Sequence, residues 1–127
     1  FEDTVKKSPS SARPALMLGT VYLTEKRFGA ATEMLTRASQ LDPQSAESYN
    51  NLGFIFLNTG YSMEAEQMFE KAISARESFV PAYLNLGYFA LRIGDVDRAV
   101  ALFEKALTFE PSNEKVRTAL KKAKSFE

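Results

Sequence analysis

The sequence repeats itself every 34 residues. Gly19, Gly53 and Gly87 are evenly spaced, as are Ala31, Ala65 and Ala99, and Ala38, Ala72 and Ala106. Leu18, Leu52 and Leu86 precede the glycines, and Leu35, Phe69 and Phe103 share one slot between the alanines. A fixed period in this range signals stacked copies of one supersecondary unit. Such a chain is to be searched for a binding surface before an active site.

Each copy reads as two helices. In residues 46–79, Tyr49, Leu52, Gly53 and Phe56 fall on one helical face. Asn58-Thr59-Gly60 then breaks the helix, and Ala65, Phe69, Ala72 and Ile73 make a second apolar stripe. Residues 80–113 repeat this with Tyr83, Leu86, Gly87 and Ala90, a Gly94-Asp95 turn, then Ala99, Phe103, Ala106 and Leu107. Residues 12–45 have Ala15, Leu18, Gly19 and Tyr22, a Lys26-Arg27 turn, then Ala31, Leu35 and Ala38. Glycine inside a helix costs about 1 kcal/mol against alanine, so three in register predict close packing in return. The same purpose is expected of the in-register alanines, since interhelical distance depends on the contact side chains. Pro43 and Pro111 are expected to stop one helix and start the next; Glu77 holds the equivalent slot, with Pro81 in the following first turn.

The register runs past both ends of these copies. Phe1 to Val5 stand three periods before Phe103 to Leu107, and Pro9 before Pro111, so residues 1–11 read as the end of a truncated preceding copy. The chain thus reads as a piece of something longer. Residues 114–127 read as one more first helix, with Lys121 in the glycine slot and Lys124 in the aromatic slot. Lys115, Arg117, Lys121, Lys122 and Lys124 make it basic; it is read as a solvated polar cap in preference to an anion-binding patch.

Composition excludes several functions. The 127 residues contain no cysteine, histidine or tryptophan-dependent site, because all three residues are absent. No disulfide, zinc–thiolate centre, cysteine nucleophile or histidine base can form. Sixteen basic and sixteen acidic residues leave a net charge of zero, against a general nucleic-acid or anionic-membrane binder. No apolar run approaches the roughly 20 residues of a membrane span. Glu64, Glu66, Glu70, Asp95 and Asp97 fall on helix starts and outer faces, where solvation accounts for them; Asp95 is placed to cap a helix. No enzyme activity and no cofactor are expected.

The pattern of aromatic, leucine-glycine, aromatic, alanine, aromatic or leucine, alanine and proline resembles the tetratricopeptide repeat. Ala15, Ala90 and Glu77 are mild departures. The resemblance implies an all-α, right-handed superhelical solenoid with a C-terminal capping helix. Its first helices would line a concave groove that binds extended or helical peptides of a partner protein.

Family geometry would turn Arg13, Leu16, Met17, Thr20, Leu23 and Thr24 toward that groove from the first copy. The second would supply Glu47, Asn50, Asn51, Phe54, Leu57 and Asn58, and the third Pro81, Leu84, Asn85, Tyr88, Leu91 and Arg92. The strongest contacts are expected from Asn50, Asn51, Phe54, Leu84, Asn85, Tyr88 and Arg92. Asn51 and Asn85 share a slot, and a side-chain amide both donates to and accepts from a peptide backbone. Family members that hold peptides this way carry such an asparagine ladder; here Met17 interrupts it.

Chaperone-binding members instead clamp a terminal carboxylate with lysine and arginine. This chain has Leu16, Pro81 and Asn85 at those slots, and only Asn51 matches. Without the cations a carboxylate would lose its water with too little return, so capture of heat-shock-chaperone tails is not expected. Phe54 and Tyr88 serve either as an aromatic wall for apolar peptide side chains or as the core of a symmetric homodimer. The competing function is therefore structural, a spacer or self-assembly module.

A second resemblance concerns the start. Asp3-Thr4-Val5-Lys6-Lys7-Ser8-Pro9, then Ala12-Arg13-Pro14 and Leu18-Gly19, is similar to a junction in bacterial membrane glycosyltransferase-like proteins. There a soluble repeat tail follows the membrane region. The sequence leaves the compartment open: a soluble domain in a bacterial-type cytoplasm and the extracytoplasmic tail of a membrane protein both fit, and the lack of cysteine does not decide between them.

Overall fold

A computed structural model of the chain describes residues 12–127. The reading of residues 1–11 as the end of a preceding copy lies outside the described residues. Seven α-helices and no strand occur among them: α1 Ala12–Thr24, α2 Phe28–Leu41, α3 Ala46–Asn58, α4 Ser62–Ala75, α5 Val80–Arg92, α6 Val96–Phe109 and α7 Glu114–Lys124. They fall into two compact units, one ending at Arg76 and one spanning Glu77–Glu127.

The hairpins α1–α2, α3–α4 and α5–α6 close by the same backbone device. The N–H groups of Arg27, Tyr61 and Asp95 each donate to the carbonyl five residues back, on Tyr22, Phe56 and Ala90, at 2.8 Å. This Schellman bond requires a left-handed residue just before the donor. Gly60 (φ 92°) and Gly94 (φ 83°) fill that place in the second and third hairpins, and Lys26 adopts φ 61° in the first.

Helix starts are less uniform. Ser45, Asp95 and Asn113 cap α3, α6 and α7 by accepting from the N–H of Ser48, Arg98 and Val116. Pro81 lies in the first turn of α5, where its missing N–H would have no helical partner anyway. Pro43 and Pro111 stand in the turns beyond α2 and α6, two residues past each helix end, and do not begin the next helix. That task falls to the caps Ser45 and Asn113.

In the unit ending at Arg76, Ala31 and Leu35 of α2 form one core with Leu52 and Ile55 of α3. Leu16, Tyr22, Leu23, Phe28, Phe56 and Met68 pack around it. The glycines of the period sit where the helices of each hairpin meet. A Cβ on Gly19 would stand 2.8 Å from Leu35 Cγ, and one on Gly53 2.6 Å from Phe69 Cε1. Gly87 faces Phe103 in the same way. Leu35, Phe69 and Phe103 are fully buried, as are the paired alanines Ala31, Ala65, Ala99, Ala38, Ala72 and Ala106.

One slot departs from the period. Leu52 and Leu86 are 4% and 2% exposed, but Leu18 is 41% exposed.

In Glu77–Glu127, α6 packs with α5 and with α7. The Tyr83 hydroxyl donates to the Glu77 carbonyl at 2.7 Å, and its ring lies 5.9 Å from that of Phe109. On α7, Val116, Ala119 and Ala123 are buried, while all five of its basic residues are exposed.

Candidate interaction surface

The first helices α1 and α3 run beside each other within the unit ending at Arg76. On their shared face the Thr20 hydroxyl donates to the Leu16 carbonyl at 2.8 Å, and Asn51 Nδ2 reaches Thr20 Oγ1 at 3.5 Å. This long bond ties the two helices through polar groups and orients the Asn51 amide across the face. Met17 is 62% exposed in the slot that Asn51 occupies one copy later. Asn50 and Asn51 are half-buried, and Phe54, one turn on, is 43% exposed. The Phe54 carbonyl accepts from Asn58 Nδ2 at 2.8 Å, which holds that amide against the last turn of its own helix.

At one end of this face lies a cleft of about 470 Å³. Ala12, Arg13 and Leu16 line it from α1, Asp42, Gln44 and Ser45 from the following turn, Glu47 from α3, and Arg76 from the end of α4. Arg76 Nη2 is 3.5 Å from Glu47 Oε1, so cation and carboxylate meet on its wall. The Asp42 carboxylate accepts the Gln44 N–H at 3.0 Å and holds the turn in place. Sequence reading brought Arg13, Leu16 and Glu47 to this surface but missed Arg76 and the turn. Those residues follow the second helices, and no periodic signal marks them.

In Glu77–Glu127 the corresponding face belongs to α5. Leu84 and Asn85 are half-buried, and Arg92 is exposed in the last turn, where a cation suits the helix dipole. Tyr88 is 41% exposed, with one side of its ring edge-on to buried Phe103 at 5.7 Å. Edge-on packing of this kind is a favoured aromatic arrangement, and it leaves the rest of the Tyr88 ring accessible. The chemistry of both faces is amide, aromatic and aliphatic. Among the described residues no group of three or more aspartates and glutamates is gathered as metal ligands would be. Burial raises the Tyr83 phenol above its ordinary pKa, and the Glu77 carboxylate adds to the shift.

Comparison with known proteins returns one repeat type. Sequence profiles described as tetratricopeptide repeat match residues 12–45, 34–67 and 55–114. No curated protein matches the sequence. Among solved structures, the Arabidopsis OM64 TPR domain is similar at TM-score 0.84 and 26% identity, over 94% of this chain and 98% of that one. The second TPR domain of human RPAP3, in complex with the HSP70 peptide SGPTIEEVD, is similar at TM-score 0.79 and 26% identity, over 92% and 98%. The first TPR of Spaghetti (RPAP3), bound to the HSP90 peptide SRMEEVD, reaches TM-score 0.84 at 19% identity, over 94% of each chain. At that identity the likeness speaks for the fold.

Proposed function

The chain belongs to the tetratricopeptide repeat family, and on that premise we propose that it is a non-catalytic module that binds a protein or peptide along its first helices. The observation that carries this is the exposure of Phe54 and Tyr88. They share one slot of the period and are 43% and 41% exposed, while Phe69 and Phe103 of the second helices are buried. Large aromatics left accessible beside amides suit a peptide with apolar side chains: the rings take the side chains, and Asn50, Asn51 and Asn85 take the backbone. On α5, Leu84 and Arg92 belong to the same candidate face as Asn85 and Tyr88.

The ligand differs in kind from those of the two RPAP3 domains. Their peptides both end in EEVD. Here Leu16, Pro81 and Asn85 occupy the slots that would have to supply cations, so a doubly charged terminus gains little on burial.

A displayed library of peptides, selected on the chain and on its Phe54→Ala/Tyr88→Ala variant, tests the reading. Peptides rich in apolar and aromatic residues should enrich on the parent and bind the variant at least tenfold more weakly. SRMEEVD and SGPTIEEVD should show no saturable binding to either. Selected peptides that bind both proteins equally would remove the aromatic face from the mechanism. If the double substitution instead turns a dimer into a monomer on sedimentation, these rings serve self-assembly.

A further inference from the structure

Tyr49 and Ala75 occupy the slots that Tyr83 and Phe109 hold one period later, so the two pairs differ by one ring. In Glu77–Glu127 that ring is in place. Phe109, the last residue of α6, packs on Tyr83 with ring centroids 5.9 Å apart, and Lys105 Nζ lies 5.5 Å from the Phe109 centroid. Both contacts are favourable, ring against ring and cation against ring. Tyr83 is buried, at 4% exposure.

In the unit ending at Arg76 the second ring is missing. Ala75 ends α4 in the slot of Phe109. Lys71, in the slot of Lys105, reaches the Tyr49 ring instead, with Nζ 6.0 Å from its centroid. Tyr49 is only half-buried. A cavity of about 240 Å³ remains, lined by Tyr49 from α3, Lys71, Ser74 and Ala75 from α4, and Pro43 and Gln44 from the turn before α3. An apolar cavity of about 150 Å³ already takes benzene, so there is room for one aromatic side chain. The first copy builds no such seat, since Ala15 and Leu41 hold the slots of Tyr49 and Ala75.

We propose that this seat takes an aromatic side chain, tyrosine or phenylalanine, of a partner protein, in contact with Tyr49 and Lys71 as Phe109 is with Tyr83 and Lys105. The occupant is argued from the chain itself, which fills the equivalent space one copy later with a phenyl ring. A tethered side chain suits the seat better than a free molecule. Pro43, Gln44, Lys71 and Ser74 are exposed, so the seat opens to water and encloses a ligand poorly. A ring carried on a partner enters as one anchor of a larger contact and gains from the rest of it. The Gln44 amide and the Ser74 hydroxyl are suited to hydrogen-bond the peptide groups beside that ring. None of Asn50, Asn51 and Phe54 lines the seat, so it stands or falls independently of the first-helix face.

Chemical-shift titration of the isotope-labelled 127-residue chain tests this with N-acetyltyrosinamide, N-acetylleucinamide and p-cresol. N-acetyltyrosinamide should give saturable shifts at Tyr49, Lys71 and Ala75. It should bind at least tenfold more tightly than the leucine probe, and more tightly than p-cresol, which has the ring without the peptide groups. Ala75→Phe places the chain's own ring in the seat and should abolish the shifts, with an unfolding midpoint in urea no lower than the parent's. Lys71→Ala, at an exposed position, should weaken binding at least twofold. No saturable shift at these residues, equal binding of the leucine probe, or binding unchanged by both substitutions overturns the proposal. Tighter binding of p-cresol would make the seat a site for a free aromatic molecule, and likewise overturns it. So does a chain that sediments as a dimer and becomes monomeric on Ala75→Phe, for the occupant would then be a second copy.

Discussion

Gly53 on α3 faces Phe69 on α4 so closely that a methyl group on the glycine would stand 2.6 Å from the ring. Phe69 is 1% exposed and has no room to retreat into solvent. Gly53→Ala should therefore destabilise the unit ending at Arg76 by about 1–3 kcal/mol through overpacking, even though alanine favours a helix by about 1 kcal/mol. Gly29, in the first turn of α2, has nothing within 4 Å of where its Cβ would lie. Gly29→Ala should stabilise by roughly 0.5–1 kcal/mol. Urea unfolding of the two variants should thus give shifts of opposite sign; a neutral Gly53→Ala would mean that the ring moves aside.

The first hairpin carries strain that the others avoid. Lys26 holds φ 61° where Gly60 and Gly94 hold φ 92° and 83°. The left-handed region costs a residue with a side chain about 1–2 kcal/mol, against about 0.5–1 kcal/mol for the greater freedom glycine loses on folding. Lys26→Gly should raise the stability of this hairpin by about 0.5–1 kcal/mol. Gly60 has open space at its Cβ position, so Gly60→Ala isolates the backbone term and should lower stability. Thermal melts that leave Lys26→Gly unchanged would show that the turn relaxes without glycine.

These cases mark what could be read from the sequence. The period located the helix hairpins because glycine, alanine and the buried aromatic must recur wherever two helices meet at one distance. Phe54 and Tyr88 share one slot of the period, and the resemblance to the repeat family assigned that slot to the first-helix face. Their chemistry was legible, but the edge-on packing of Tyr88 on Phe103 was not, since a ring's orientation depends on its neighbours. Leu18 was read as equivalent to Leu52 and Leu86 because the letters agree. Its exposure depends on which helix lies beside α1, and that belongs to the neighbourhood rather than to the slot. Arg76 escaped notice because it follows the last periodic residue of its helix. The prolines were misplaced by a few residues: Pro43 and Pro111 exclude helix at their own positions, while the start of the next helix is fixed by Ser45 and Asn113.

Asp95 supplies the side-chain cap at the start of α6, accepting from the Arg98 N–H at 3.2 Å. Tyr61 holds the same slot before α4 and makes no such bond. Asp95→Ala should cost about 0.5–2 kcal/mol in the unit spanning Glu77–Glu127, since an amide of the first turn loses its acceptor and the helix dipole loses a carboxylate. Asp95→Asn keeps the acceptor and should recover most of that loss. Equal destabilisation by both, in urea unfolding, would assign the effect to charge rather than to capping.

Tyr83 ties the start of α5 to the residues before it. Its hydroxyl donates to the Glu77 carbonyl, and Tyr83→Phe should cost about 0.5–1.5 kcal/mol by leaving that acceptor without its partner. The group also makes stability depend on pH. Burial, and then the nearby Glu77 carboxylate, raise the phenol's pKa above the ordinary value of 10.0. The unfolded state therefore releases its proton at lower pH than the folded state does. The contribution of Tyr83 is complete below pH 10 and is lost as pH rises from the unfolded pKa through the higher folded one. In urea unfolding between pH 8 and pH 11, the parent should lose stability more steeply above pH 10 than Tyr83→Phe. Parallel curves for the two proteins would show that the tyrosine is equally easy to ionise in both states.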